Sequence, residues 1–478
     1  MKLKYSFLLF LLLSCFACTS DHTPQKPDPQ PEEENGQKPG DGGGEDKPVG
    51  PGVVDCAFPT DFTEALIGKE VQITNELVVT ETYGDRLSGS ILLSPTALRT
   101  PTDVVFPGSD EYRSLQKENQ KQMLQLNPSV WSLLEPSTRT LRLGSTFSQL
   151  KGKVSNSNGR YVLTLTAAPK IIHAERPAFI RKKADLMVVS MNLEYYMASS
   201  SNWGYANGAR NQEQFNRQSE KIVAAMKEMS ADIFAICEIE EGKYSPAYLV
   251  DALNKAVGKD CYRFVDTGDT KVSKYTKNTF IYNKEVVSPY KNCVSYDGSY
   301  LKLRHINQCF TMNASNERFI LSVNHFKSKV GKNASGSDAD QHDGQSSFNN
   351  RRVTEALNCL KTYDRLKTYY NDPDVLVVGD LNSHSKEDPI RVFTDAGYTE
   401  ELMKYAPASY SYCYHGQVAY LDHLLSSSTM TSQVIDAYAW NVNASEPDGI
   451  GYQFPDFYRP DYYRFSDHNP VVAFLNLK

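Results

Sequence analysis

The chain repeatedly runs a short apolar stretch into one or two polar residues of a narrow chemical kind. Leu186-Met187-Val188-Val189 leads to Asn192, and Ile233-Phe234-Ala235-Ile236-Cys237 ends at Glu238. Phe319-Ile320-Leu321-Ser322-Val323 ends at Asn324-His325, and Val375-Leu376-Val377-Val378-Gly379 at Asp380-Leu381-Asn382. Ser466-Asp467-His468-Asn469-Pro470 opens the last run, Val471-Val472-Ala473-Phe474. Short apolar runs bounded by turn formers read as buried strands. Polar side chains at strand ends let a sheet gather groups that are distant in the chain. Carboxylate and amide oxygens suit a hard divalent cation, and two histidines can move protons near neutral pH. Such groups, held together, are what metal-assisted cleavage of a phosphodiester requires.

The motifs differ in weight. Glu238, followed by Ile239-Glu240-Glu241, reads by itself as a charged residue leaving a strand. In company it is a candidate ligand for Mg2+, which keeps most of its waters and asks for few protein ligands. Asp380-Leu381-Asn382 is more specific, because alternation sets an acceptor-only carboxylate and a donating amide on one side of an extended segment. His468 is a candidate base beside Asp467, a possible metal ligand, and Leu421-Asp422-His423 supplies a carboxylate able to orient it. Asn324-His325-Phe326-Lys327-Ser328-Lys329 places a histidine and two lysines at one strand end, and Arg351-Arg352 open a helix after the polar loop 333–344. Lys327 and Arg352 are therefore candidate phosphate contacts. The acidic residues of that loop lack EF-hand spacing.

At 478 residues the chain exceeds one typical domain. Its net charge of −6 does not point to bulk electrostatic binding of nucleic acid, although much of the acidic excess sits in one tail. Lys2 and Lys4 precede Phe7-Leu8-Leu9-Phe10-Leu11-Leu12-Leu13, too short to span a bilayer and apt for a signal core. Small residues then precede Cys15 and Cys18, either of which is a candidate for lipidation; the alternative is an ordinary secreted protein. Glu32-Glu33-Glu34 and Gly42-Gly43-Gly44 mark a stretch that cannot build a core. Of the later cysteines, Cys56, Cys237, Cys261, Cys293, Cys309, Cys359 and Cys413, an odd one is left as a free thiol, best placed at buried Cys237.

The expected organisation is a signal peptide over 1–18, a Pro/Gly/Glu-rich tether over 19–54, a β unit over 55–170, a linker over 171–183 and a catalytic unit over 184–478. In the β unit, Asn158-Gly159 predicts a tight hairpin. With its short strands and one helical segment over Glu111 to Leu134, it resembles a small OB-like β-barrel, a fold that often binds oligonucleotides or oligosaccharides. The charge run Arg181-Lys182-Lys183 reads as solvated. Beyond it, Phe215, Ile222, Met226 and Met229 fall at helical spacing after Asn211, a candidate N-cap. Leu249, Leu253, Ala256 and Val257 form a second apolar face, and Val353, Leu357 and Leu360 a third. Mixed strand and helix order, with hairpin-like stretches around Asn283 and Asp297-Gly298, points to an α+β layered sandwich.

In order and spacing, the motifs of residues 184–478 resemble the endonuclease/exonuclease/phosphatase superfamily, and within it the bacterial extracellular nucleases. The closest segments are Asn324 to Lys329, Asp340-x-x-Asp343-Gly344-Gln345 leading to Arg352, Ser409-Tyr410-Ser411-Tyr412 ahead of Leu421-Asp422-His423, and Tyr463 to Val471. The resemblance implies a four-layer αββα sandwich, DNase-like, with a metal site at one end of two packed sheets. Asn192, Glu238 and Asp467 then match metal-side residues. Asp380 and Asn382 match the pair that positions nucleophile and phosphate. His325 matches a phosphate-stabilising or proton-donating histidine, His468 the general base and Asp422 its orienting carboxylate. The chain departs from the group at Tyr275-Thr276-Lys277-Asn278, where a Gly-x-Asp-Ala-Ile-like stretch is usual, and at Asn469, which replaces an aspartate.

The resulting expectation is an exported nuclease that cleaves DNA, and RNA as a second substrate, by in-line attack of a water activated by histidine. Its cofactor would be Mg2+, with Mn2+ or Ca2+ as alternatives. Its partners would be nucleic acid and, through an N-terminal lipid anchor, the outer membrane or surface of a Gram-negative-type bacterium; a periplasmic or secreted enzyme is the alternative. The competing readings are a sphingomyelinase-like phosphodiesterase acting on a lipid or small molecule, and a catalytically inactive surface binding protein. An inositol-phosphate phosphatase fits poorly, because the segment around Asp422 lacks that group's cysteine-aspartate-arginine pattern.

Overall fold

Strand Leu186–Tyr196 sets the frame of the larger unit, because its side chains alternate between two cores. Met187, Val189 and Met191 pack toward helices, while Leu186 and Val188 pack toward a second sheet. This two-sided burial is why the run reads as continuously apolar. The computed structural model describes residues 52–82, 89–135, 140–269, 274–295 and 302–478. The expected signal segment, Cys15, Cys18 and nearly all of the expected tether lie outside the described residues.

One six-stranded sheet runs in the order Tyr262–Phe264, Thr276–Asn283, Ile233–Glu240, Leu186–Tyr196, Val471–Leu475, Val434–Ala439. The other runs Val287–Ser295, His305–Met312, Arg318–Asn324, Val375–Asp380, Asp422–Ser426, Thr399–Glu400. Leu186–Tyr196 with Ile233–Glu240, and Arg318–Asn324 with Val375–Asp380, are parallel pairs within otherwise antiparallel sheets. The inner faces meet through Val188, Ala235 and Phe280 on one side and Phe310, Leu321 and Val378 on the other. Helices Gln212–Met229 and Tyr244–Val257 cover the first sheet, and Asn349–Tyr370 and Asp388–Asp395 cover the second. The layering is helix, sheet, sheet, helix, a mixed α+β fold. Asn283 does not turn a hairpin: the strands on its two sides belong to different sheets. Asp297-Gly298 lies outside the described residues.

Asn211 caps the first helix, its Oδ1 accepting from the Gln214 amide at 2.9 Å, and Gly258 in the left-handed region ends the second. The third helix differs from the sequence expectation. Ala356, Cys359, Tyr363, Leu366 and Tyr370 face the core, while Leu357 is 45% exposed. The buried stripe lies beside Val353-Leu357-Leu360, and it includes Arg352.

The first unit places nine strands in one sheet, from Val54–Cys56 at one end to Lys170–Ile172 at the other, a larger assembly than the five strands of an OB-fold. Its first strand begins inside the last residue of the expected tether. The hairpin at Asn158-Gly159 forms, with Ser157 opposite Arg160 and both turn residues at positive φ. The expected helix over Glu111 to Leu134 is three elements: helix Asp110–Lys121, strand Leu124–Leu126 and the short helix Val130–Leu133. Leu124 and Leu126 alternate into the core and pair with strands on both sides, which overrides helical continuation.

The two units interlock. Leu98–Arg99 of the first unit pairs in parallel with Gln417–Ala419, making a three-stranded sheet with Tyr412–Tyr414. The linker is also docked: Arg176 meets Glu446 at 2.8 Å, Lys182 meets Asp436 at 3.3 Å, and Trp440 donates to the Pro177 carbonyl at 3.1 Å. The charge run expected to be solvated therefore lies partly against the catalytic unit. Among the described residues all seven cysteines are free, and Cys237 is buried. No helix among them is long and apolar enough to cross a membrane.

Candidate active site

The candidate residues converge where both sheets end. Asp380 and Asp422 are direct partners across neighbouring strands. Asn192 and Glu238 come from the adjoining parallel pair in the other sheet, just where its register slips between Asn192 and Tyr196. A bulge re-aims side chains and is common beside active sites. Glu194, Tyr195, Glu238 and Asn382 all adopt positive φ, from 47° to 61°. Each such non-glycine residue costs on the order of 1–3 kcal/mol, so the surrounding structure must hold it in place. Gly379 is required for another reason: a Cβ there would overlap the Asn324 carbonyl of the adjacent strand.

His468 Nδ1 lies 2.7 Å from Asp422 Oδ2. Its Nε2 then faces Asp380, 3.9 Å away. Asp422 is itself fixed, because the Ser411 hydroxyl accepts from the Leu421 and Asp422 amides at 2.9 and 3.0 Å. The Ser411 carbonyl accepts from the Asn469 amide at 2.8 Å, tying the same segment to the histidine's neighbour. Tyr412 packs on the imidazole, ring centres 4.7 Å apart. Asp380 Oδ1 accepts from the Asn382 amide at 2.9 Å, and Oδ2 from the Asn192 side chain at 3.3 Å. His325 Nε2 lies 3.6 Å from Asp380 and 3.7 Å from Glu238. The Tyr195 amide donates to Glu238 at 3.2 Å. Asn382 turns its amide to the Phe326 carbonyl at 3.1 Å.

The two histidines are driven in opposite directions. Burial pulls the His468 imidazole down, but Asp422, Asp467 and Asp380 outweigh it and raise its pKa well above the ordinary value. Burial, with Arg304 and His468, lowers that of His325 well below it. Burial raises Glu238 to about 7, helped by Asp467 and Asp380 and opposed by Arg304. Burial likewise raises Asp380 to about 6 against the pull of His468. One cluster thus holds a histidine that takes a proton readily, a histidine kept neutral, and crowded carboxylates. Groups whose environments push their pKa values apart are candidates for separate acid–base roles.

That carboxylate crowding fits a divalent cation. Glu238 and Asp467 act on one another electrostatically, and Glu194 joins them, its own carboxyl raised by burial and by Asp467. Among the described residues no group of three or more His, Cys, Asp or Glu side chains is placed to hold a metal ion by itself. The oxygen donors match an ion that takes one or two carboxylates and retains its waters.

Two expected substrate contacts fare differently. Arg352 is fully buried and donates to the Gln345, Ser347 and Lys327 carbonyls at 2.7, 2.8 and 3.4 Å. It braces loops and is not a phosphate contact, because its helix turns that position into the core. Lys327 is half-buried, its Nζ 4.3 Å from the centre of the Phe348 ring, and burial with Arg304, Arg351 and Arg352 lowers its pKa to about 8. Sequence reasoning missed Glu194, Arg304 and Ser411. Glu194 repeats, after Asn192, the two-residue spacing of Asp380 and Asn382. Arg304 stands opposite His325, whose amide donates to its carbonyl at 2.8 Å, a relation visible only once the strands are paired.

A model of the endonuclease/exonuclease/phosphatase family matches residues 202–468. No curated protein matches the chain. Among solved structures, an endonuclease/exonuclease/phosphatase from Bacteroides vulgatus is 14% identical with a TM-score of 0.41, covering 61% of this chain and 99% of that one. A mannosyl-6-phosphatase from Bacteroides thetaiotaomicron is 17% identical with a TM-score of 0.41, over 61% and 99% of the two chains. The human Nocturnin catalytic domain is 13% identical with a TM-score of 0.39, over 61% and 94%. No functional weight rests on likenesses this remote. The family match covers more than half of the sequence and takes in Glu238, His325, Asp380, Asp422 and His468 of the convergent site, and the chain belongs to the endonuclease/exonuclease/phosphatase family of hydrolases, which act on phosphodiester and phosphate bonds with divalent metal ions.

Proposed function

We propose that this chain is an exported, metal-dependent nuclease that hydrolyses phosphodiester bonds of DNA, and of RNA as a second substrate. The observation that carries this reading is the oriented pair of Asp422 and His468, with the free ring nitrogen facing Asp380. His468 Nε2 takes the proton of the attacking water, and Asp422 holds the tautomer and stabilises the imidazolium that forms. Asp380 and Asn382 orient that water and the phosphate. His325, kept neutral, offers its Nε2–H to a phosphoryl oxygen. Arg304 and Lys327 add positive charge on the same side, favouring an anionic substrate. Glu238, Asn192 and Asp467 would hold a divalent cation, which would supply polarisation of a phosphoryl oxygen and offset the carboxylate charge around His468. Mg2+ is the proposed ion, with Mn2+ or Ca2+ as substitutes.

The first unit is proposed to add an OB-like oligonucleotide-binding surface. Cys15 or Cys18 is proposed to carry a lipid that holds the enzyme at the outer membrane or cell surface. Replacing both by Ser should release the protein from membrane fractions, and retention at high salt would argue against the anchor. The functional test is incubation of the purified mature chain with plasmid DNA and Mg2+, with and without chelator. Cleavage of sphingomyelin or another phosphodiester, without cleavage of nucleic acid, would replace the substrate and leave the same residues at work.

A further inference from the structure

Asp103 belongs to the first unit, is fully buried, and has no part in the chemistry above. Its Oδ1 accepts from the Ser385 amide at 3.1 Å, the Ser385 hydroxyl at 2.7 Å and the Tyr420 amide at 3.5 Å. Its Oδ2 pairs with Arg99 at 2.5 Å. Arg99 in turn donates to the Ser409 carbonyl at 2.8 Å and lies 5.3 Å from the centre of the Tyr420 ring. A buried carboxylate is unfavourable unless charge and hydrogen bonds meet it. Here Arg99 supplies the charge, and the donors to Oδ1 belong to segments that also carry candidate catalytic residues.

Ser385 stands three residues after Asn382, and Tyr420 two residues before Asp422. Ser409 opens the segment whose Ser411 hydroxyl fixes Asp422. The strand ladder joins Asp380 to Asp422, the Leu381 amide still donates to the Leu421 carbonyl at 2.8 Å, and beyond that bond the two segments leave the sheet. There Asp103 bridges them. Neighbouring Thr102 extends the bridge, its hydroxyl 2.6 Å from His384 Nδ1 and its carbonyl accepting from the Lys386 amide at 3.0 Å.

We propose that Asp103 is a positioning residue, through which the first unit sets the spacing between the Asp380–Asn382 segment and the Asp422–His468 pair. The first unit is then a working part of the hydrolase and not a detachable module. The inference rests on the functional reading above. Displacement of about 1 Å by a change remote from the chemistry can cost on the order of 100-fold in rate.

The test uses the full chain with Mg2+, on bis(p-nitrophenyl) phosphate and on plasmid DNA, with rates taken per folded molecule well below each variant's unfolding midpoint. Asp103→Ala should lower kcat by about 10- to 100-fold with KM within about twofold. Asp103→Asn, which keeps an acceptor for Ser385 and Tyr420, should recover most of that loss. Arg113→Ala, exposed on the same unit, should match the wild type. A purely architectural role would lower the unfolding midpoint and leave kcat per folded molecule unchanged, and that result in Asp103→Ala overturns the proposal. Should Asp103→Ala fail to fold, Ser385→Ala decides: a several-fold fall in kcat supports the proposal, and an unchanged kcat overturns it. An active wild type with unaffected variants sinks this inference alone. An inactive wild type sinks the functional reading and this inference with it.

Discussion

His468 and Asp422, 46 residues apart in sequence, share a 2.7 Å contact through Nδ1. The bond leaves Nε2 as the proton acceptor. It is one reason, with Asp467 and Asp380, that the imidazole holds its proton above the usual pH range despite burial. Because the base must be neutral to act, this raised pKa sets the acidic limb of the rate profile. Asp422→Asn should move that limb to lower pH and reduce kcat, with a smaller effect on KM. His468→Ala should cost at least ~100-fold in rate, as a lost general base does. A profile of log kcat against pH at saturating Mg2+ checks both, and an unmoved limb in Asp422→Asn would place the base elsewhere.

Glu238 is partly protonated near neutral pH, since burial and its carboxylate neighbours raise it to about 7. A cation bound there must expel that proton. Calorimetric titration with Mg2+ in buffers of different ionisation enthalpy should therefore show net proton release near pH 7. Glu238→Gln should reduce the release and weaken both metal binding and activity. Full activity of the wild type in excess EDTA would remove the metal from the mechanism.

Arg304 and Arg352 should separate cleanly. Arg304→Ala should raise KM about 10-fold, the equivalent of ~1.4 kcal/mol for one charge-assisted contact, with a smaller change in kcat. Arg352→Met should leave KM alone and lower stability by ~1–3 kcal/mol, because buried carbonyls lose their donors. Denaturant unfolding alongside steady-state kinetics distinguishes the two. A higher KM for Arg352→Met would return it to the substrate.

Glu387 and Lys329 form a buried ion pair at 2.5 Å beside His384. Burial alone would push the Glu387 carboxyl up, but Lys329 and His384 hold it at about 2, against 4.5 ordinarily. A carboxyl depressed by folding stabilises the protein fully above its unfolded pKa, and that stabilisation fades as pH falls toward the folded value. Glu387→Gln should destabilise the chain by ~3–5 kcal/mol at neutral pH, because it leaves Lys329 buried without its partner. The difference from wild type should shrink as pH falls from about 4.5 toward 2. A difference that stays constant over that range would mean the pair is not what sets it.

The candidate acids and histidines were legible because each borders an apolar run, and a run buried on both faces leaves little doubt about its strand. The helix after Asn211 was legible from its cap and spacing. Arg352 was misread because Val353-Leu357-Leu360 is a plausible helical stripe lying one residue from the true one. Arg304 could not be placed, since its relation to His325 exists only across paired strands. The junction between the units was invisible for a similar reason. Leu98–Arg99 and Pro101–Val104 are too short to show a period, and their partners lie about three hundred residues away.

The strand Leu98–Arg99 finds its partner in Gln417–Ala419, and Asp103 its donors in Ser385 and Tyr420, 282 and 317 residues further on. At about 5–20 residues per second the ribosome needs roughly 15–60 s to supply them. Throughout that interval the nascent N-terminal unit presents a short strand without its partner and a carboxylate that has Arg99 but lacks its Ser385 and Tyr420 donors. An unpaired edge is a ready template for another chain. The burden on holding chaperones should therefore fall early in synthesis, on the segment farthest from the catalytic residues it will eventually support.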